Sequence, residues 1–296
     1  MTAVDDATGT QPAVLDQVLR GDPQPGSVTD HVALERVDSV AVVTLARPEQ
    51  YNALSLASWR RLGAIFTALG DESDLRAVVV RGAGDRAFGA GADIKEFPQV
   101  RLSPEDALVY NESIAAALTA VTSLAVPVVA MVQGLAVGGG CELAAACDVR
   151  LASQQARFGI PIGRLGVTLG YTEADALVRL IGPAALKYLL FSGRLVDAEE
   201  ALRMGLVQRV VATEDLVDET VELLGAVLAS APVTMRAAKL VADMCGRPLN
   251  AQDTEALTRA TVEAYGGADL REGVAAFLEG RTPVFPSNER KSHVRP

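Results

Sequence analysis

Apolar positions along this chain recur with two periods, and the change from one to the other divides it. From His31 to Ala46 they alternate: Val32, Leu34 and Val37, then Val40, Val42 and Leu45. With Asp38-Ser39 between the two sets, this predicts a β-hairpin. Apolar runs near 76–81 and 127–132 predict buried strands. Between them lie a helix from a Ser55 cap to about Leu69 and a longer one over 104–122, with Ser103 as cap and Pro104 in its first turn. After Asp148-Val149-Arg150-Leu151 the spacing becomes helical, near 172–181, 183–191, 197–204, 214–229, 234–244, 250–264 and 268–279. Residues 1–30 are rich in Gly, Pro, Gln, Asp and Thr. Val14, Leu15, Val18 and Leu19 suffice for a helical turn or two, and the segment reads as a flexible arm. The predicted layout is that arm, an α/β core over 31–230, a helical region over 231–285 and a polar tail over 286–296.

Two glycine-rich segments interrupt the core. Ala87-Phe88-Gly89-Ala90-Gly91-Ala92-Asp93-Ile94-Lys95 follows Val78-Val79-Val80, and Gly134-Leu135-Ala136-Val137-Gly138-Gly139-Gly140-Cys141-Glu142-Leu143 follows Pro127-Val128-Val129-Ala130-Met131-Val132. Each reads as a strand, a loop nearly bare of side chains, and a helix start. Such a junction leaves backbone N–H groups without intrahelical partners at the positive end of the helix dipole. Two converging junctions can hold an oxygen on which negative charge develops. Each glycine at a helix start costs about 1 kcal/mol relative to alanine, so three in succession imply that a ligand or a main chain approaches closely. Glu142 stands among Cys141, Leu143 and Ala144-Ala145-Ala146. In that apolar setting it reads either as a first-turn acid favoured by the dipole or as a general acid/base whose pKa burial raises. Cys141 lacks a base beside it and reads as a core thiol. Gly82-Ala83-Gly84-Asp85-Arg86-Ala87 matches a dinucleotide fingerprint formally, but no long helix follows directly, and it reads as a strand-end turn. The loops and Glu142 together point to an enzyme acting on a carbonyl compound.

Composition narrows the classes further. With 49% hydrophobic residues but 4% aromatic, the 296-residue chain predicts a large aliphatic core. A net charge of -10 disfavours nucleic-acid binding. Three cysteines suggest neither a disulfide framework nor a zinc site and fit a reducing cytoplasm; two histidines leave no metal centre and no Ser-His-Asp triad to expect. No signal peptide or membrane span is expected.

At Leu45-Ala46-Arg47-Pro48…Asn52-Ala53-Leu54, at both glycine segments, and at Cys147-Asp148, Phe158-Gly159-Ile160-Pro161, Phe191-Ser192-Gly193-Arg194, Gly205-Leu206-Val207 and Glu272-Gly273…Ala276-Phe277-Leu278-Glu279, the chain resembles the crotonase superfamily, the enoyl-CoA hydratase/isomerase family. The resemblance implies a ClpP-like spiral of β-β-α turns, a C-terminal helical region that mediates trimer contacts, and a homotrimer or dimer of trimers. It implies an acyl-CoA thioester as substrate, with coenzyme A part of that substrate and no separate cofactor. Backbone N–H groups of Ala92 and Gly139 align with the family's oxyanion-hole donors, and Glu142 with its first acid. Around coenzyme A the resemblance implies Arg47, Ala90, Asp93, Ile94, Lys95 and Phe277, and Arg281 next to a position often occupied by lysine, here Gly280; each basic side chain reads equally well as an exposed surface charge.

One position departs. The family's hydratases use two glutamates to hold and activate water, and the second follows the proline of Phe-Gly-x-Pro, where this chain has Ile162. Isoleucine neither accepts a proton nor orients water. Glu173 or Asp175 is a candidate substitute, with Tyr171 and Arg164 also near, although Thr172 with first-turn acids reads more simply as helix capping. Alternatively Glu142 acts alone, in isomerisation or in protonating an enolate after decarboxylation. A third reading is an acyl-CoA-binding protein without turnover. Acyl-chain length is not readable, though the helix after Asp93 and the 104–122 helix should wall the pocket.

Overall fold

Short strands cannot bury enough surface alone, and here they are laid down in repeated units that share two sheets. The computed structural model describes residues 12–288. Within them the chain runs through α1 (Pro12–Arg20), β1 (Val28–Thr29), the hairpin β2 (Val32–Val37) and β3 (Val40–Leu45), and α2 (Leu56–Gly70). Each of the next units gives a strand, a shorter strand and a helix. The first is β4 (Ala77–Gly82), β5 (Ala87–Gly89) and, after the small α3 (Phe97–Val100), α4 (Pro104–Thr122). The second is β6 (Val128–Val132), β7 (Leu135–Val137) and α5 (Gly139–Ala146), and the third β8 (Val149–Ser153), β9 (Arg157–Gly159) and α6 (Tyr171–Ser192). Then come β10 (Val196–Asp197), α7 (Ala198–Met204), β11 (Arg209–Val211) and α8 (Leu216–Leu228). Helices α9 (Pro232–Met244), α10 (Ala251–Gly266) and α11 (Ala268–Glu279) follow.

The longer strands form a seven-stranded sheet in the order β1-β2-β3-β4-β6-β8-β11, and the shorter ones a four-stranded sheet in the order β10-β9-β7-β5. Pairing is parallel from β3 to β11 and through β5-β7-β9. Parallel neighbours require crossovers, and the helices supply them. Side chains alternate between two cores. Val78 and Val80 of β4 face the larger core, Ala77 and Val79 the smaller; in β6, Val128, Ala130 and Val132 oppose Val129 and Met131. With both faces covered, every residue of β3 is buried, and its apolar run is interrupted only by Thr44. Predicted caps form as expected: Ser55 Oγ accepts from Ser58 N–H and Ser103 Oγ from Asp106 N–H.

Two expectations change. The arm is a helix over Pro12–Arg20: Leu15 and Leu19, one turn apart, are each 2% exposed and pack into the smaller core beside α8. Arg20 pairs with Asp16 and with Asp218 of α8, fixing the same contact from the surface. Residues 1–11 of the expected arm, and 289–296 of the polar tail, lie outside the described residues. Second, the helical spans near 172–181 and 183–191 are two halves of α6, broken at Gly182 (φ 71°, ψ 163°) before Pro183. Leu19→Ala is expected to lower unfolding stability by about 2–4 kcal/mol, read from urea unfolding at one protein concentration; an unchanged midpoint would restore the mobile-arm reading.

Candidate active site

The two glycine segments meet backbone to backbone. A Cβ built on Gly140 would fall inside the Gly89 carbonyl, and one on Gly91 (φ 88°) would lie 2.8 Å from Val137 O and 3.2 Å from Gly139 N. Only residues without a Cβ permit that approach. Buried Asn52 (φ 55°) secures the first loop: its Oδ1 accepts from Arg47 N–H at 2.9 Å, and its Nδ2 donates to Ala83 O at 3.0 Å and Ala87 O at 2.7 Å. Leu54 N–H donates to Gly91 O at 2.7 Å and Asp93 N–H to Leu54 O at 2.9 Å. This single parallel bridge turns the Ala92 N–H to the opposite side. Gly139 is the first residue of α5, so its N–H has no intrahelical acceptor. Among the described residues neither N–H has a protein acceptor.

The expected helix start after the first segment is corrected. Asp93 caps a 3-10 turn, Ile94–Glu96, and only the four-residue α3 follows. That loop offers oriented N–H groups without a helix dipole behind them. The second segment does run into a helix, as expected.

Glu142, in the first turn of α5, is 6% exposed. Burial, then the negative charge of Glu173, push its carboxyl up to about 8, against a smaller pull from Arg101. Glu173, in the first turn of α6, is 4% exposed. Burial raises its pKa also, opposed by its own backbone N–H and by Arg101. Helices α5 and α6 pack on each other and both pack on α4. The cap of α6 is Gly170 rather than Thr172, and the Glu173 carboxylate folds back over it: a Cβ there would meet Oε1 at 2.8 Å. Asp175 faces solvent and pairs with Arg179 at 2.8 Å, and Tyr171 (85% exposed) and Arg164 also point outward. Ile162 packs its side chain on the larger core. Burial first, then Glu142, push the Cys141 thiol up to about 12, which fits the core-thiol reading.

Sequence reasoning missed Arg101. Its guanidinium lies 5.1 Å from the Phe97 ring centroid and 4.4 Å from that of Tyr110, and its Nη2 donates to Asn111 Oδ1 at 2.8 Å. It is the cation that acts on both buried glutamates. Its partners come from α3 and α4, so no local motif marks it. Tyr110 is fully buried and donates to Leu54 O at 3.3 Å, joining α4 to the Ala92 bridge.

The residues expected around coenzyme A separate into two places. Arg47, Ala90, Asp93, Ile94 and Lys95 gather at the first loop. Arg47 Nη1 donates to Asp93 Oδ2 at 2.6 Å and Lys95 N–H to Asp93 Oδ1 at 3.1 Å. Burial raises the Asp93 pKa, but these donors outweigh it and hold the carboxyl below its usual range. Arg47 is therefore committed to the loop itself, and Ala90 N–H to Tyr51 O at 2.9 Å. Ile94 is half exposed, and Lys95 is exposed and forms no ion pair among the described residues. Arg281 is held at the end of α11 by Glu272 and Glu279, both at 2.6 Å, and Phe277 stands exposed on the same helix. No hydrogen bond or ion pair joins Arg281 to the first loop.

A carboxyl whose folded pKa exceeds its unfolded value costs stability as pH rises. For Glu142 that cost begins above pH 4.5 and is complete above about 8. Glu142→Gln should therefore raise the urea midpoint by an increment that grows from pH 4.5 to about 8 and then levels. An increment independent of pH would show that Glu142 titrates normally.

Known proteins share most of this chain's length. The chain is 34% identical over 264 residues to a crotonyl-CoA hydratase of Syntrophomonas wolfei, covering 87% of this chain and 98% of that protein. It is 35% identical over 257 residues to a short-chain-enoyl-CoA hydratase of Clostridium acetobutylicum, covering 85% and 96%. Among solved structures, an enoyl-CoA hydratase/carnithine racemase from Magnetospirillum magneticum superposes with a TM-score of 0.83 at 36% identity, covering 88% of this chain and 97% of that one. The family profile described as enoyl-CoA hydratase/isomerase matches residues 35–288. With its two-sheet spiral and helical C-terminal part, the chain has the crotonase fold and belongs to the enoyl-CoA hydratase/isomerase family.

Proposed function

We propose that this protein is an acyl-CoA-processing enzyme that stabilises a thioester enolate between the Ala92 and Gly139 N–H groups and moves a proton through Glu142. One observation carries the reading: two N–H groups without protein acceptors among the described residues lie on adjoining backbones, near a buried carboxyl whose pKa burial pushes up to about 8. Backbone donors fixed by tertiary packing need no reorganisation as charge develops on the thioester oxygen, which favours the transition state over the ground state. A carboxyl titrating near 8 can give and recover a proton at neutral pH. Relatives named as hydratases at 34% and 35% identity favour water addition to a 2-enoyl thioester within this chemistry. Lys95, free of ion pairs among the described residues, is the basic group of the first loop best placed to meet the phosphates of coenzyme A, the substrate's own carrier. Arg47 serves instead to brace Asp93.

Self-association belongs to the same proposal. Helices α10 and α11 leave Val262, Tyr265, Val274, Phe277 and Leu278 exposed, more apolar side chain than one small helical region ordinarily leaves in water. We propose that copies of the chain cover it as a homotrimer or a dimer of trimers in the cytoplasm, where the free cysteines remain reduced. No helix among the described residues is long and apolar enough to cross a membrane.

Sedimentation velocity is expected to give three or six times the mass of one chain, and Phe277→Asp together with Leu278→Asp to shift it toward the monomer; a monomeric wild type would refute the assembly. For the chemistry, the protein is incubated in D₂O with 2-enoyl-, 3-enoyl- and malonyl-type thioesters and the products are weighed by mass spectrometry. At least one thioester should change, and Glu142→Gln should slow that change by about 10²–10⁴-fold with acyl-CoA affinity nearly unaltered. Full activity in Glu142→Gln would remove Glu142 from the mechanism. Binding without change in any thioester would identify an acyl-CoA-binding protein.

A further inference from the structure

We propose that Glu173 is the second acid–base group of this site, a catalytic carboxylate moved from the loop position now held by Ile162 to the first turn of α6. The inference rests on the acyl-CoA reading above and narrows it to hydration of a 2-enoyl thioester.

Five carboxylates are buried among the described residues: Asp93, Glu142, Glu173, Asp253 and Asp269. Three have partners that account for their burial: Asp93 has Arg47, Asp253 has Arg247, and Asp269 accepts from Ser287. Among the described residues Glu142 and Glu173 form no ion pair and accept from no other side chain; Glu173 accepts only from its own backbone N–H. They sit in the first turns of two helices packed together, close enough that the charge on one raises the other. An acid that served only the helix dipole would gain its energy at the surface, as Asp175 does beside Arg179. Burial next to a second carboxylate is instead a cost, and such costs gather where chemistry uses them.

Addition of water needs one carboxyl that gives a proton and one carboxylate that takes one, and two buried carboxyls on packed helices can divide those parts. Glu142, driven up by burial and by Glu173, holds the proton. Glu173 takes a proton from water as the water oxygen bonds to C3. The C2–C3 π pair moves toward the thioester, whose oxygen carries the charge between the Ala92 and Gly139 N–H groups. Glu142 then gives its proton to C2. One water is consumed, its hydroxyl on C3 and a proton on C2, and proton return from Glu173 to Glu142 through solvent resets the pair. Arg101, fixed on Phe97 and Tyr110, lowers the pKa of both carboxyls and so favours their charged forms.

The test compares hydration of crotonyl-CoA by the full-length wild type, Glu173→Gln, Asp175→Asn and the double variant Ile162→Glu/Glu173→Gln. Glu173→Gln should lose about 10³-fold in kcat, and Asp175→Asn should match the wild type. The double variant should regain at least about tenfold over Glu173→Gln, because a carboxylate returns at the other end of the same water. Removing the neighbouring charge should also move the alkaline limb of the residual pH–rate profile below the wild-type value near 8. That shift would not follow from a purely structural role. Glu173→Gln with wild-type kcat and an unmoved limb would overturn the assignment while leaving the enolate reading intact. A wild type that exchanges or isomerises thioesters but never hydrates them would overturn it equally. No turnover of any thioester would remove both readings.

Discussion

The whole site hangs on the absence of side chains where two loops touch. Gly89 against Gly140, and Gly91 against Val137 and Gly139, bring main chain to main chain at distances that a single Cβ would prevent. The strands entering those loops, β5 and β7, pair in parallel with an irregular register between Ala87 and Gly89, so the contact also sets where the small sheet begins. Trp59 closes it from below: a Cβ on Gly139 would lie 2.7 Å from the Trp59 ring. Since Trp59 is wholly buried in the larger core, the positions of two backbone N–H groups follow from core packing rather than loop flexibility.

That rigidity has an electrostatic consequence. Once the loops, α4 and α6 enclose the first turn of α5, Glu142 loses water and gains no cation in contact. Burial disfavours the charged form, and that is the main reason the Glu142 pKa is pushed up to about 8. Arg101 moderates the effect without abolishing it. Held between aromatic rings, it acts on both glutamates but bonds to neither, whereas a direct salt bridge would have returned them to ordinary acidity.

What was legible in the sequence depended on how local its cause was. The hairpin, the long parallel strands and α4 announced themselves through period and caps, because each is longer than the period it displays. Strands β5, β7 and β9 have three residues each and could not, since pairing across the spiral, not pattern, makes them strands. Helix α1 hid behind a polar composition although Leu15 and Leu19 stood at the right spacing; only the partner face of α8 gives that spacing a use. At the site, both glycine loops and Glu142 were readable because close approach requires glycine and an apolar neighbourhood requires a reason for the acid. Glu173 was readable only as one candidate beside Asp175, because a first-turn acid after a polar residue is the commonest of helix starts. Its burial, which sets it apart from Asp175, arises on a helix that packs against both α4 and α5, earlier in the chain.

Ile162 then takes on a meaning beyond a missing acid. Packed on the larger core, its side chain is hydrocarbon, which neither accepts a proton nor orients water. In the proposed pair the acid–base work falls to Glu142 and Glu173, so no carboxylate is needed at position 162: one member gives a proton and the other takes one, the condition that water addition to a double bond imposes on any two-carboxylate site.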